Sequence, residues 1–168
     1  MVNVRTAKTE DIDKISIVLA ASWKTAYRGI VADDYLDSIR EDRWVDFLTA
    51  GLSNGAIFSM VLQENQEIAG ASILGKSEKE NEVRLISFYL APDRIGQGYG
   101  HIFYSGIEKK IKSRGFTKCV IDVLEKNDRA IKFYKSHGFD DTRTEVKITL
   151  GNRDYICKVF EKTYFFPI

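Results

Sequence analysis

Three glycines alternate with single residues at Gly96, Gly98 and Gly100, between an apolar run ending at Leu90 and a helical pattern that begins near Gly98. Residues without a Cβ let the main chain turn freely and let a ligand come close to it. Successive N–H groups at a helix N-terminus then face one spot, which suits a phosphate or diphosphate. A tight strand-to-helix turn with no ligand explains a single Gly-x-Gly equally well. The neighbouring residues exclude one nucleotide chemistry. A hydrolytic phosphate loop carries Lys-Ser or Lys-Thr after its last glycine, and here His101-Ile102 follow. A dinucleotide fold also fits poorly, although Asp122 lies near a strand end at roughly the distance such a fold needs. Its fingerprint is G-x-G-x-x-G, the spacing here is G-x-G-x-G, and Ala91 to Ile95 intervene between strand and first glycine.

A second segment carries Asn127, Ala130 and Tyr134, three and four residues apart and so on one helix face. A polar cap, a small residue and a phenol therefore line up toward one groove. Phe133 is the expected core anchor of that helix, and Gly138 its stop.

The elements that must hold these residues follow from periodicity. Val2–Thr6 reads as a strand. Thr9 is the expected N-cap of a helix with Ile12, Ile15, Leu19, Trp23 and Ala26 on one face, ended by Gly29. Asp33–Leu36 and Glu41–Leu48 read as short helices. Ala56–Leu62 and Ile68–Leu74 form a hairpin around Glu64-Asn65-Gln66, and Val83–Leu90 is a strand stopped by Pro92. A helix from Gly98 to Arg114, a strand from Thr117 to Leu124, a helix from Asn127 to Ser136, and a hairpin of Thr142–Leu150 with Asp154–Phe160 complete the chain. The order does not alternate strictly, which points to a mixed α/β domain rather than a doubly wound sheet.

Composition sets the outer limits. With 168 residues, 44% hydrophobic and 29% charged, the chain has the size of one domain spanning 1–168. Lys plus Arg (25) nearly balances Asp plus Glu (24), so nucleic-acid binding through bulk charge is not expected. Cys119 and Cys157 sit in apolar runs and read as buried thiols, and with His101 and His137 they show no metal-ligand spacing. The first residues lack a signal-peptide pattern, and Ile15–Trp23 is too short to cross a bilayer, so a cytoplasmic location with no membrane partner is expected.

The glycine segment, Ile95-Gly96-Gln97-Gly98-Tyr99-Gly100, resembles the coenzyme A diphosphate loop of the GNAT N-acetyltransferase superfamily, with Ile95 where Arg or Gln is usual. Val123-x-x-x-Asn127-x-x-Ala130-x-x-Phe133-Tyr134-x-x-x-Gly138-Phe139 resembles that family's second motif, at the right distance along the chain. The resemblance runs from Val2 to Phe160, and Ser22–Ile30 with Asp34–Leu36 resembles a recurrent bacterial subgroup of it.

The resemblance implies an α/β (α+β) GNAT fold, a mixed sheet of about seven strands splayed between the fourth and fifth, with flanking helices. It implies an acetyl-coenzyme A-dependent N-acetyltransferase with no metal, in which a small-molecule or protein amine attacks directly in a ternary complex. The cofactor would be held by Tyr89, Leu90, Ile95, Gly96, Gln97, Gly98, Tyr99, Gly100, His101, Asn127, Ala130, Phe133 and Tyr134. Tyr134 would be the general acid. Relatives carry a glutamate on the strand before the loop where Arg84 stands here, so Glu82, two residues earlier, is the base candidate. Trp23, Tyr27 and Tyr35 are candidates to line the acceptor pocket. The apolar Tyr164–Pro167 stretch reads as a core cap or a homodimer contact. The rival readings are a non-catalytic coenzyme A-binding module of the same fold and a nucleotide-binding regulator.

Overall fold

The computed structural model describes residues 1–167. Seven strands form one sheet in the order β1-β2-β3-β4-β5-β7-β6. They are β1 (Val2–Thr6), β2 (Ile57–Glu64), β3 (Glu67–Lys76), β4 (Glu82–Leu90), β5 (Lys118–Leu124), β6 (Asp140–Leu150) and β7 (Arg153–Thr163). Every neighbouring pair is antiparallel except β4–β5, which is parallel. The helices are α1 (Ile12–Ala26), α2 (Asp33–Ser38), α3 (Val45–Ser53), α4 (Tyr99–Ser113) and α5 (Asp128–Ser136).

The sheet is covered on both faces because its central strands are apolar on both. Leu62, Leu74, Leu85, Ile121 and Phe160 pack with Phe103 and Ile107 of α4 and Tyr134 of α5. On the other face Val61, Ala71 and Ile73 pack with Ile15 and Leu19 of α1 and Leu48 of α3. A third cluster joins Ala20, Tyr27 and Leu36 to Leu124 of β5 and Cys157 of β7. Cys119 and Cys157 are both buried free thiols. Tyr164 closes the core, its hydroxyl 3.1 Å from that of Tyr104, while Phe165 stands in solvent.

The last hairpin is longer than the pattern reading, and two boundaries near the first helices also differ. Thr9 lies inside a 3-10 turn, Thr9–Asp11, rather than capping α1. Asp11 organises this entry: its carboxylate accepts the Lys8 N–H at 2.7 Å and a two-pronged pair from Arg5 at 2.7 and 2.9 Å. Helix α3 starts at Val45, not Glu41, because the preceding residues form turns and the Ser16 hydroxyl accepts the Trp44 N–H at 3.0 Å.

The feature that makes a site is the short union of β4 and β5. Their pairing covers only Glu82–Lys118, Val83–Cys119 and Arg84–Val120, and beyond Arg84 the strands part. A β-bulge coincides with the parting: Leu74 faces Leu85 and Ile73 faces Ser87, leaving Ile86 unmatched. A bulge bends its strand and shifts the side-chain alternation by one. Val83 and Leu85 before it, and Phe88 and Leu90 after it, all face the α4–α5 layer, whereas Tyr89 faces α1.

Candidate active site

The gap between the parted strands opens into a cleft of about 600 Å³. Its walls are the end of α1, the outer halves of β4 and β5, the glycine loop, and the first turns of α4 and α5. The Ala91 N–H donates to Ala69 on β3 at 2.8 Å. Main-chain groups alternate sides along a strand, so those of Tyr89 are committed to β3, while those of Phe88 and Leu90 are turned to the gap. Phe88 is thus a cleft residue that the sequence reading passed over; only the bulge, invisible in side-chain pattern, puts its main chain there. The Leu90 carbonyl also lies 2.7 Å from the Ser22 hydroxyl, which ties α1 to the end of β4.

The loop makes its turn with left-handed backbone at Gly96 (φ 82°) and Gly98 (φ 81°), a region that costs other L-residues about 1–2 kcal/mol. Nothing stands within 4 Å of where a Cβ would lie at either position. Gly98 caps α4 without a side chain, leaving the first N–H groups of that helix open. Gly100 serves packing instead: a Cβ there would meet the Phe133 ring at 3.2 Å, so its absence lets α4 and α5 approach.

Ile95, Gly96, Gly98, Gly100, His101, Asn127, Ala130, Phe133 and Tyr134 line the cleft, as do Tyr89 and Leu90. The side chains of Gln97 and Tyr99 point elsewhere. Gln97 folds back to donate to the Asp93 carbonyl at 2.7 Å, and the Tyr99 hydroxyl donates to Glu64 at 2.5 Å. Arg94 joins the same Glu64 at 2.8 Å, so it braces the loop against the β2–β3 hairpin rather than entering the cleft. Asn127 caps α5 by accepting the Ala130 N–H at 3.2 Å. His101 and His137 join Nδ1 to Nε2 at 2.7 Å, which ties the first turn of α4 to the end of α5.

Of the acceptor candidates, Tyr27 lines the cleft, while Trp23 and Tyr35 do not. Trp23 packs behind, against Tyr27, Trp44 and Tyr89. Tyr35 lies over Gly151 at the β6–β7 turn, its ring 3.1 Å from where a Cβ would be. Glu82 is also outside. It sits at the closed end of the β4–β5 fork, 6% exposed, and accepts the Ser77 hydroxyl at 2.7 Å. Seven residues of strand separate it from Tyr89, roughly 20 Å, which is too far for a base acting at the gap.

Three phenols gather where the strands part. The Tyr27 and Tyr89 hydroxyls share a hydrogen bond of 2.5 Å. Tyr134 is a buried residue beside them that lines the cleft, and among the described residues no side-chain hydrogen bond engages its hydroxyl, which is open to the cleft. Burial pushes the Tyr134 phenol well above its ordinary value, with Tyr27 and Cys119 adding to the shift. Burial likewise drives Tyr27 up to about 12, opposed by its bond from Tyr89. All three stay protonated throughout the neutral range.

Charge is distributed unevenly along the cleft. Lys126 and Arg129 line the cleft at the start of α5 and add positive charge to the side that also carries the open amides of α4. Asp122 of β5 lies on the opposite side of the sheet, 2.8 Å from Arg84.

A family model for the acetyltransferase (GNAT) family matches residues 19–139. An uncharacterized N-acetyltransferase of Bacillus subtilis (strain 168), YuaI, is 31% identical over 144 residues, covering 82% of this chain and 79% of that one. A spermidine N(1)-acetyltransferase of Thermoplasma acidophilum is 28% identical over 148 residues, covering 82% of this chain and 88% of that one. The crystal structure of the PaiA N-acetyltransferase of the same organism, in complex with coenzyme A, superposes with a TM-score of 0.78 at 24% identity, over 98% and 99% of the two chains.

The chain belongs to the GNAT acetyltransferase family and is an N-acetyltransferase with acetyl-coenzyme A as donor. Such a donor meets a cleft with uncapped amides at the start of α4, cationic side chains at the start of α5 and apolar walls between the strands. No helix among the described residues is long and apolar enough to cross a membrane, and no cluster of three or more His, Cys, Asp or Glu could hold a metal ion there.

Proposed function

We propose that the enzyme acetylates a small cationic amine by direct attack within a ternary complex, with Tyr134 as general acid. The observation that carries this reading is Tyr134 at the fork of β4 and β5, a buried residue held protonated, whose hydroxyl faces the cleft with no protein partner among the described residues. Acetyl-coenzyme A supplies an activated acyl group. The Phe88 and Leu90 N–H groups, facing the gap, are donors toward the carbonyl oxygen on which charge develops. The amine attacks as its free base, and Tyr134 gives its proton to the departing sulfur as the C–S bond breaks. The proton shed by the new amide nitrogen passes to solvent, from which the phenol is restored. A phenol near pKa 10 or above holds that proton until a thiolate forms beside it. Much of the rate comes from holding two reactants in one cleft.

The acceptor class rests on two supports. The Thermoplasma acidophilum relative is a spermidine N(1)-acetyltransferase, and the only carboxylates in the cleft lining among the described residues are Asp122 and Asp128. The test is thiol release from acetyl-coenzyme A across a panel of spermidine, putrescine, lysine and peptides with a free N-terminus. Turnover greatest with the polyamines supports the reading. Release only with the peptides overturns the acceptor class, and no release with any amine favours a binding module.

A further inference from the structure

Arg84 ends the paired stretch of β4 and β5, and the carboxylate beside it comes from the next strand. Cys119, Ile121 and Val123 of β5 point into the core beneath α4 and α5. Alternation therefore turns Asp122 to the other face, where Leu124, Cys157 and Tyr27 form their own cluster. Asp122 lies two residues past Val120, the last residue of β5 paired to β4, so it stands just inside the fork. It lines the same cleft as Tyr27, Tyr89 and Tyr134.

Its present partner is Arg84, Nη1 to Oδ2 2.8 Å, with the two side chains 40% and 33% exposed. A half-exposed pair of this kind is weakly held and open to exchange. The remaining cleft charges sort by element: Lys126, Asp128 and Arg129 all belong to the start of α5. On the other face of β5, Asp122 is the carboxylate that the lining presents. A donor carrying phosphates thus has the α4–α5 side, and an ammonium has the Asp122 side.

Building on the acetyltransferase reading, we infer that Asp122 is the specificity residue that receives the acceptor's ammonium group, and that Arg84 is the resident counter-ion this ammonium displaces. An amine approaching from that face meets a carboxylate before it meets the phenols.

The test compares Asp122→Asn and Arg84→Gln with wild type, using spermidine as acceptor and free thiol as readout. A residue that holds the acceptor in ground and transition states alike changes KM and leaves kcat nearly untouched. The expected result is opposite signs: Asp122→Asn raises KM for spermidine about tenfold or more, and Arg84→Gln lowers it, with KM for acetyl-coenzyme A unchanged in both. If the pair merely staples the fork, both variants loosen the same link and shift in the same direction, which overturns the inference. Calorimetry with coenzyme A separates the two levels. Absence of binding in wild type defeats the acetyltransferase reading itself, whereas intact binding with equal spermidine KM in wild type and Asp122→Asn defeats only the carboxylate assignment.

Discussion

Tyr27 and Tyr89 close on each other, hydroxyl to hydroxyl at 2.5 Å, from opposite sides of the α1–β4 boundary. That bond engages two of the three phenols at the fork and leaves Tyr134 as the one with no protein partner among the described residues. The division of labour follows from it: Tyr27 and Tyr89 shape the wall, and Tyr134 is available to a sulfur.

Tyr134→Phe removes one oxygen from a ring that otherwise packs against Phe133 and Phe139. The packing survives, so the affinity for acetyl-coenzyme A is expected to stay within about twofold while kcat falls about 100-fold, the range of a lost general acid. Steady-state kinetics beside calorimetry checks this. A variant with undiminished kcat removes Tyr134 from the proton pathway.

Gly98→Ala tests the loop. Its backbone is left-handed and the space around a new Cβ is empty, so the change acts through the main chain alone. The expected cost is about 1 kcal/mol of stability, read from urea unfolding, together with weaker coenzyme A binding as the α4 amides shift. Gly100→Ala differs in kind: it presses on Phe133 and is expected to weaken binding through the α4–α5 spacing.

How far the sequence revealed this arrangement depended on the kind of signal. Strands, helices and the glycine loop announced themselves through periodicity and through residue types with one physical use, and Gly96, Gly98, Ala130 and Tyr134 all reached the cleft. Side-chain direction was less legible. Gln97 and Tyr99 belong to the loop by position, yet their side chains are claimed by Asp93 and Glu64, partners 4 and 35 residues away. Glu82 failed for a related reason: two residues along a strand share a face, but the bulge at Ile86 and the fork decide which stretch of β4 borders the gap. Asp122 was visible only as a strand-end acid, because its role depends on the neighbouring strand's Arg84.

Acid stability should report on the entry to α1. Arg5 hydrogen-bonding holds the Asp11 carboxyl below its ordinary value, with the Lys8 N–H adding to the effect against the cost of burial. A depressed carboxyl stabilises the fold above its unfolded value and loses that contribution as pH falls through about 4 and below. Urea midpoints of wild type should therefore drop between pH 5 and pH 3, and Asp11→Asn should be less stable at pH 7 with a shallower drop. An unchanged slope in the variant would contradict the assignment.

At the alkaline end the sign reverses. Burial raises Tyr104 and Tyr164, as it raises the cleft phenols. Groups raised in the fold leave stability whole below about pH 10, where the unfolded phenols are still protonated, and erode it above. Unfolding midpoints at pH 8 and pH 10.5 measure this, and Tyr164→Phe should reduce the difference.

Calorimetric titration of the intact chain with acetyl-coenzyme A addresses the cleft most directly. Saturable heat at one site per chain, weakened at least tenfold by a carboxylate placed in the loop as Gly98→Asp, is the predicted result. A flat titration of wild type, or an affinity indifferent to that carboxylate, would contradict a diphosphate held by the amides of α4.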